Sequence, residues 1–156
     1  MTRTWTVYLS GEIHTTWRED IAAGVRRAEL PVALTAPVTD HPASDDAGVG
    51  TMGAEDDGFW RDHKGAGVNA IRTRTLIADA DADADADVVV VGFGDQYKQW
   101  NAAFDAGYAA ALGKPIITLH DPGHTHALKE VDRGALAVAE RPEQVVEILR
   151  YVISHR

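Results

Sequence analysis

The sequence predicts a three-layer α/β fold in which helices cover both faces of a doubly wound, five-stranded parallel sheet. Short apolar segments alternate along the chain with segments of helical periodicity, an order typical of a parallel sheet covered on both faces. The segment VVVVGF at 88–93 is apolar throughout, as expected of a strand that is buried on both faces. A chain of 156 residues is long enough for one core, so we expect a single domain over residues 1–156.

Five short apolar segments are predicted to form the strands of this sheet. They lie at 4–10, 31–38, 88–93, 115–120 and 135–139. In parallel sheets, ligands bind beyond the carboxyl ends of the strands, near the point where the strand order reverses. The loops at 10–15, 39–65 and 93–101 are therefore the candidate binding loops. The second is polar and rich in Gly and Asp, and loops of that length in a small domain are usually functional or disordered.

Helical periodicity predicts the segments that connect and follow these strands. They lie at 15–30, 66–80, 98–113, 125–133 and 141–156. Thr16 and Glu19 fit a capping box at the start of the first helix. Gly113, which is followed by Pro115, is expected to end the third helix. Pro142 is expected near position N1 of the last helix.

An alternation of Asp and Ala covers residues 79–87 and fits neither regular structure. A period of two is wrong for an amphipathic helix, and Asp and Ala form strands poorly. The segment also lacks the glycine turn and ligand pattern of a calcium-binding loop. We therefore expect a solvated acidic connector.

The composition narrows the range of functions. The chain has no cysteine, which excludes disulfides, thiolate catalysis and zinc–thiolate sites. Its net charge of −9, with scattered Lys and Arg, argues against a nucleic-acid polymer as partner, although a local cationic pocket can still bind a small anion. No apolar run reaches the roughly 18 residues of a membrane span, and the N-terminus has no apolar signal-peptide segment. We expect a cytoplasmic protein that does not associate with membranes.

One acid stands out because it lies in a helix of alanines and aromatics. Asn101 and Asp105 are four residues apart and share one face of the helix predicted at 98–113. Asp105 would then border the buried face near the start of the helix, where the helix dipole and the first-turn amides keep a carboxylate ionised, as a nucleophile requires. The alternative is a solvated first-turn acid. The apolar stripe of this helix is expected to consist of Phe104, Tyr108, Ala111 and Leu112.

The segment YLSGEIH at 8–14 is a second candidate for part of a site. Its strand is predicted to end at Ser10, and Gly11 would allow a ligand to approach the backbone closely. Glu12 and His14 would then lie over the carboxyl edge of the sheet, although an ordinary turn is also compatible with the pattern.

The histidines give weaker evidence of a functional site, and the known hydrolase and nucleotide-binding motifs are absent. Histidines follow Asp at positions 41 and 63, and three more occur within 120–126. Imidazole and carboxylate groups suit several divalent ions, but no HExxH motif or compact ligand set is present, so we expect surface histidines and loop hydrogen bonds rather than a metal site. No GxSxG, GxGxxG or GxxxxGK[ST] motif occurs, which removes support for triad hydrolases, dinucleotide binding and P-loop chemistry.

Several stretches together resemble a known family over nearly the whole chain. They are WTVYLSGEIH, PVTDHPASDD, FWRDHKGAGVNAIRTRTLI, ADVVVVGFGDQYKQWNAAFDAGYAAALGKPIITLH and HALKEVDRGALAV. These stretches are similar to the YtoQ family, which is grouped with the nucleoside 2-deoxyribosyltransferases. The resemblance implies a flavodoxin-like fold. It also implies cleavage of an N-glycosidic bond through a covalent sugar–enzyme intermediate.

The resemblance also implies roles for individual residues. The nucleophile of the superfamily is a glutamate in a helix whose counterpart here is FDAGYAAALGKP, which puts Asp105 at that position. Aspartate is one methylene shorter, so its oxygen reaches about 1.5 Å less far. A further acid of the superfamily follows the preceding strand, for which Asp95 and Asp87 are the candidates. The first loop of the superfamily corresponds to residues 8–12, with Glu12 at a position that is usually apolar or proline.

Two functions therefore remain open at the level of the sequence. The first is an enzyme that cleaves or transfers at the N-glycosidic bond of a nucleoside or nucleotide, with net retention. The second is a non-catalytic module that binds or senses a nucleotide. The candidate catalytic residues are Asp105, Asp95 and Glu12, and we expect Gly11, Asp95 and Asp105 to lie in one cleft. The candidate substrate-binding residues are Tyr8, Ser10, Gly11, His14, Asp40, His41, Trp60, His63, Lys64, Arg72, Lys98, Trp100 and Asn101.

Some of these candidates have specific expected roles. Trp60 or Trp100 would stack on the base, and Arg72, Lys98 and His63 would contact a phosphate. No cofactor and no metal are expected. A homo-oligomer is expected, because the alanine-rich helix at 102–112 offers more apolar surface than sheet contacts require, and because superfamily relatives complete their sites across subunits.

Overall fold

The structure, a computed structural model, describes residues 3–54, 61–78, 85–97 and 99–155, except for the side chains of 61–66. Its five strands form one parallel sheet in the order β2-β1-β3-β4-β5, which is the flavodoxin-like order. The strands are β1 (Trp5–Gly11), β2 (Val32–Thr35), β3 (Val88–Gly92), β4 (Ile116–Leu119) and β5 (Ala137–Ala139). The helices are α1 (Trp17–Arg27), α2 (His41–Met52), α3 (Arg61–Ile77), α4 (Trp100–Ala111), α5 (Lys129–Gly134) and α6 (Pro142–Ser154), with a 3₁₀ turn at Pro122–His124.

The sheet separates two apolar layers, as the sequence predicts. Alternate residues of β1 face opposite layers, because successive side chains of a strand point to opposite faces. Val7 and Leu9 pack with α1 and α6, whereas Tyr8 packs with α3 and α4. Ser10, two residues beyond Tyr8, therefore points toward α4. No helix of the described residues is long and apolar enough to cross a membrane.

The prediction of a loop over 39–65 is wrong for much of its length. Residues His41–Met52 form α2, and α3 begins at Arg61. The side chain of Asp40 accepts a hydrogen bond from the backbone N–H of Ala43 at 2.9 Å and caps α2. The Gly- and Asp-rich composition hides this helix, because its intrinsic propensity is weak and packing against α3 compensates for it.

The predicted apolar stripe of α4 is confirmed for Tyr108, which packs against the core, but it is wrong for Phe104, Ala111 and Leu112, which are exposed. The helix buries Ala102, Ala106 and Ala109 against the sheet, whereas Phe104 is 60% exposed and Leu112 is exposed as well. Small side chains allow the helix to lie close to the valines of β3, so the alanine face is the one that is buried.

Two of the three helix-end predictions are confirmed and one is wrong. Gly113 follows α4 with φ +72°, and Pro142 lies in the first turn of α6, as predicted. At the start of α1, however, Thr16 makes no side-chain bond to the backbone. Its hydroxyl donates to Asp20 at 3.3 Å instead, so the predicted capping box with Glu19 is not formed.

The acidic repeat is only partly within the described residues, which omit 79–84. The last two aspartates of the repeat make ion pairs with basic side chains, so they are not simply solvated. Asp85 pairs with Lys114. Asp87 pairs with Arg3 and accepts a hydrogen bond from the Thr6 N–H at 2.8 Å. These contacts attach the end of the repeat to the edge of the sheet at which β3 begins.

The carboxyl ends of β1 and β3, which are hydrogen-bonded neighbours in the sheet, leave no room for a side chain at Gly11. Gly11 has φ +119°, and a Cβ atom there would lie only 2.0 Å from the carbonyl oxygen of Gly92. Only glycine fits this contact. The strand order reverses between these two strands, which is where ligands bind in sheets of this kind.

Candidate functional site

The candidate site is centred on Asp105, which the fold brings to the carboxyl end of β1. Asp105 lies in the second turn of α4, and its carboxylate accepts a hydrogen bond from the buried hydroxyl of Ser10 at 2.8 Å. From the sequence we expect first-turn amides to keep this carboxylate ionised and Asn101, or Tyr8 from the edge of the first strand, to orient it. The structure places Ser10 there instead, because alternation along β1 turns Ser10 toward α4.

Burial sets the acidity of Asp105. Loss of solvent raises the pKa of its carboxyl, while the Ser10 hydrogen bond and the positive charge of Arg74 partly oppose that rise. Burial therefore opposes the ionised form that the sequence leads us to expect. Asp105 is a more basic carboxylate than an exposed aspartate.

The Asp105 carboxylate opens onto a cavity of about 480 Å³ between α2, α3 and α4. This volume lies within the usual range for small-molecule sites. The cavity is lined by Pro37, Ser44, Asp45, Asn69, Ala70, Thr73, Arg74, Asn101, Phe104 and Asp105. We refer to it as the Asp105 cavity.

A second cavity, of about 520 Å³, lies beside the start of α4 and shares Asn101 with the first. Four of its side chains are rings, namely His14, His41, Tyr97 and Trp100. The ring centroid of His14 lies 5.0 Å from that of Tyr97 and 5.6 Å from that of His41. We call this the aromatic cavity. It brings together the catalytic candidate Glu12 and five predicted binding residues, namely Gly11, His14, His41, Trp100 and Asn101.

Asp95 is not brought next to Asp105. It lines a third cavity of about 190 Å³ at the ends of β3 and β4. Its side chain is 89% exposed, and its carboxylate lies 2.8 Å from Nε2 of His124. The prediction that Gly11, Asp95 and Asp105 share one cleft is therefore not met, because each lines a different cavity at the same edge of the sheet.

Glu12 is buried, and its carboxylate organises the loop after β1. It accepts hydrogen bonds from the backbone N–H groups of His14 at 2.6 Å and Thr15 at 3.1 Å, and from the Thr15 hydroxyl. These partners occupy the carboxylate within its own loop. Glu12 therefore shapes the aromatic cavity instead of presenting a free acid to the Asp105 cavity.

Three further predicted residues have structural partners. The buried Tyr8 hydroxyl donates to the Thr73 hydroxyl at 3.2 Å, and burial raises the pKa of this phenol. Arg72 donates to the carbonyl of Ala36 at 2.7 Å. Asp40 is the cap of α2. Trp60 and Lys98 lie outside the described residues, as do the side chains of His63 and Lys64.

Arg74 is the principal residue that the sequence analysis misses. Its guanidinium lies over the rings of Phe104 and Tyr108, 5.1 and 5.5 Å from their centroids. Asn69 and Thr73, on the same helix, also line the Asp105 cavity. Their spacing of four residues places them on one polar face of α3, a signal that could have been found in the predicted helix at 66–80.

Arg18, which is also missed, fixes the backbone that carries Ser10. It is buried and donates to the carbonyls of Leu9 and Gly11, at 3.0 Å each, and of Glu12. Burial lowers the pKa of Arg18 to about 10. These three bonds hold the carboxyl end of β1 in place.

The histidines after β4 serve the fold. Both ring nitrogens of buried His120 are engaged, Nδ1 with the carbonyl oxygen of Asp121 at 2.8 Å and Nε2 with the Asp132 carboxylate at 3.1 Å. Within residues 3–54, 61–78, 85–97 and 99–155, no group of three or more His, Asp or Glu side chains is arranged to hold a metal ion.

Comparisons with known proteins agree with this fold and with the resemblance seen in the sequence. The family described as "Nucleoside 2-deoxyribosyltransferase YtoQ" matches residues 8–153. The "Uncharacterized protein YtoQ" of Bacillus subtilis (strain 168) is 38% identical over 146 residues, which is 94% of this chain and 95% of that protein. A conserved protein from Enterococcus faecalis V583, known from its crystal structure, has a TM-score of 0.59 at 14% identity, covering 96% of this chain and 99% of that one. This last likeness supports the fold alone. On the family match and the Bacillus relative, the chain belongs to the nucleoside 2-deoxyribosyltransferase YtoQ family.

Proposed function

We propose that this protein cleaves or transfers at the N-glycosidic bond of a nucleoside or nucleotide, with the Asp105 carboxylate as nucleophile. One observation carries the proposal: a half-buried carboxylate, held by Ser10 at the switch point of the sheet, opens onto a cavity of substrate size. A titratable group with a shifted pKa in such a cleft is a typical catalytic candidate. The description of the family supports the same class of reaction.

The proposed reaction has two steps. In the first, an Asp105 oxygen attacks C1′ of the sugar, and the bond to the base breaks with its electron pair leaving on the base, which takes up a proton from solvent water. In the second, water or an acceptor base attacks C1′, loses a proton to solvent and displaces the Asp105 carboxylate. Two inversions give net retention at C1′. The hydrogen bond from Ser10 leaves the other Asp105 oxygen free for the attack.

The aromatic cavity is the proposed place for the base. Its rings offer flat apolar surfaces on which a heteroaromatic base would stack, and Asn101 lies between it and the Asp105 cavity. Glu12 and Asp95 are weaker candidates for a catalytic acid than the sequence suggests, because neither lines the Asp105 cavity.

We also propose a homo-oligomer. Ile71 on α3 is 65% exposed, and Trp100 and Phe104 on α4 are 74% and 60% exposed. Exposed apolar side chains that form a contiguous patch mark protein–protein interfaces, and we propose that these three belong to one. The cytoplasm stays the predicted compartment.

The direct test is a panel of nucleosides and nucleotides incubated with the purified protein, with free base measured by chromatography and the intact protein by mass spectrometry. We expect base release and a transient protein–sugar adduct. Asp105→Asn should abolish both, reducing turnover by several orders of magnitude. Asp20→Asn, which changes an exposed acid on α1, is the matched control.

Two outcomes would contradict the proposal in different ways. Turnover that survives Asp105→Asn would remove the covalent mechanism. Saturable nucleotide binding without any base release would instead favour the alternative, a non-catalytic nucleotide-binding or sensing module.

A further inference from the structure

The guanidinium of Arg74 is positioned in the Asp105 cavity, and the described residues provide no hydrogen-bond acceptor for it. It is half-buried and rests on the rings of Phe104 and Tyr108, a cation–π arrangement that limits its movement. Among the described residues, no oxygen atom accepts a hydrogen bond from this guanidinium or forms an ion pair with it.

Among the arginine side chains that the structure describes, only Arg18 and Arg74 are not exposed, and of these two only Arg74 lacks an acceptor. Arg72, two residues earlier, donates to the Ala36 carbonyl, and buried Arg18 donates to three carbonyls. An arginine has five N–H donors. Leaving them unpaired in a half-buried position costs free energy that a bound anion would recover.

The acids of the cavity do not take the place of such an anion. Asp105 receives its hydrogen bond from Ser10, and its interaction with Arg74 is through space only. Asp45, the other carboxylate of the cavity, is exposed and lies 3.7 Å from His41. The planar fork of Arg74 is therefore available to a ligand, and it matches the geometry of a phosphate.

We propose that Arg74 binds the phosphate of the substrate, so that the protein acts on a nucleoside monophosphate rather than on a free nucleoside. This inference rests on the proposed function, since it names the substrate class of the same site. The base would lie in the aromatic cavity, the sugar at Asp105 and the phosphate at Arg74. The predicted phosphate partner Arg72 is replaced in this role by Arg74.

Binding to the Asp105→Asn variant measures recognition of the phosphate without turnover of the substrate. We expect a 5′- or 3′-monophosphate to bind this variant about 10- to 100-fold more tightly than the matching nucleoside, measured by calorimetry, because a hydrogen bond to a charged group has about that effect. Adding Arg74→Met should remove the preference, since Met keeps contact with the rings without the charge. Adding Arg26→Met, which removes an exposed arginine from the far end of α1, should leave the preference unchanged.

Turnover by the protein that retains Asp105 is an independent test of the role of Arg74. Arg74→Met should lower kcat/KM for the monophosphate about 10- to 100-fold and leave that for the nucleoside nearly unchanged. If Arg74→Met does not fold by circular dichroism, Arg74→Lys, which keeps the charge but loses the fork, should still weaken the preference.

The outcomes distinguish this inference from the function on which it rests. Arg74-dependent binding of a monophosphate without turnover would uphold the anion site and contradict the proposed function. Turnover of nucleosides without any preference for the monophosphate would overturn the anion site alone. An equal loss of kcat/KM for both substrates in Arg74→Met would do the same. Failure of every nucleoside and monophosphate to bind would overturn it as well.

Discussion

At the scale of single residues, the environment of Asp105 determines what its carboxylate can do. Burial raises its pKa, and Ser10 and Arg74 restrain that rise. A more basic carboxylate is a better nucleophile once it is ionised, but it must lose its proton at the working pH. The balance among these three influences therefore sets the pH range in which the proposed reaction proceeds.

Ser10→Ala should shift the acid limb of the pH–rate profile to higher pH. The rate falls as the pH drops through the pKa of Asp105, and the lost hydrogen bond is one that lowers this pKa. The profile of kcat/KM against pH for wild type and variant measures the shift. Ser154→Ala on α6 is the control, and an acid limb that stays in place or moves to lower pH would contradict the assignment of Ser10.

Asp105→Asn should leave the folded state as stable as wild type, or more stable, at neutral pH. The pKa of Asp105 in the folded protein lies above its ordinary value of 3.8. The neutral acid therefore makes its whole contribution to stability at pH values below the pKa of the unfolded state, and this contribution is lost as the pH rises through the pKa of the folded state. At pH 7 the charged acid is therefore unfavourable, and Asn removes that charge.

Urea unfolding at pH 7 and at pH values approaching 3.8 measures this difference. The gain from Asn should be largest at neutral pH and should shrink as the acid becomes protonated. A variant that is clearly less stable than wild type at pH 7 would show that the ionised carboxylate supports the fold.

At the scale of secondary-structure elements, the site depends on how closely β1 and β3 meet at their carboxyl ends. The contact between Gly11 and the Gly92 carbonyl leaves no room for a side chain. Arg18 binds three carbonyls of the same strand end and loop. Together these contacts determine where Ser10 lies, and through Ser10 they position the carboxylate on α4.

Gly11→Ala should destabilise the protein by at least about 1–3 kcal/mol, the usual cost of a strained backbone conformation. The residue has φ +119°, and the new Cβ would collide with the Gly92 carbonyl. Gly107→Ala on α4 is the matched control, because a Cβ there meets nothing within 4 Å. Alanine at that helical position should be neutral or stabilising by about 0.4–1 kcal/mol. Similar free energies of unfolding for the two variants would contradict the close approach of the strands.

At the scale of the whole molecule, the exposed apolar side chains of α3 and α4 lie beside the proposed site. Ile71, Trp100 and Phe104 leave apolar surface in water, and Phe104 also lines the Asp105 cavity. Association through this surface would cover the site from outside. Assembly and substrate access would then be linked.

Light scattering at micromolar concentration should show an oligomer, and Ile71→Lys should shift it toward the monomer, because a charge placed in an apolar interface is costly to desolvate. Tyr151→Lys provides the control, since Tyr151 is 65% exposed and lies on α6, which packs on the opposite layer of the sheet. A wild-type protein that is strictly monomeric, or a shift caused equally by both variants, would refute an interface on this face.

The sequence by itself determines the sheet, its five strands and several helix ends. VVVVGF at 88–93 is apolar enough to be buried on both faces wherever it is placed, and Gly113 and Pro142 act through local backbone preferences. These features need no distant partner, so a local pattern predicts them. The resemblance adds the family and points to Asp105, because motif spacing is also a property of the linear chain.

Only the tertiary structure decides the features that depend on distant partners. Helix α2 forms in a Gly- and Asp-rich segment because it packs on α3, and the buried face of α4 is chosen by its fit to β3. Ser10 and Asp105 are separated by 95 positions in the chain, and Arg74 reaches their cavity from a third element. No local period encodes such pairs, because they arise when the sheet brings separate segments together and removes water from between them. That removal of water is also what raises the pKa of Asp105, so the chemistry of the site belongs to the fold rather than to the motif.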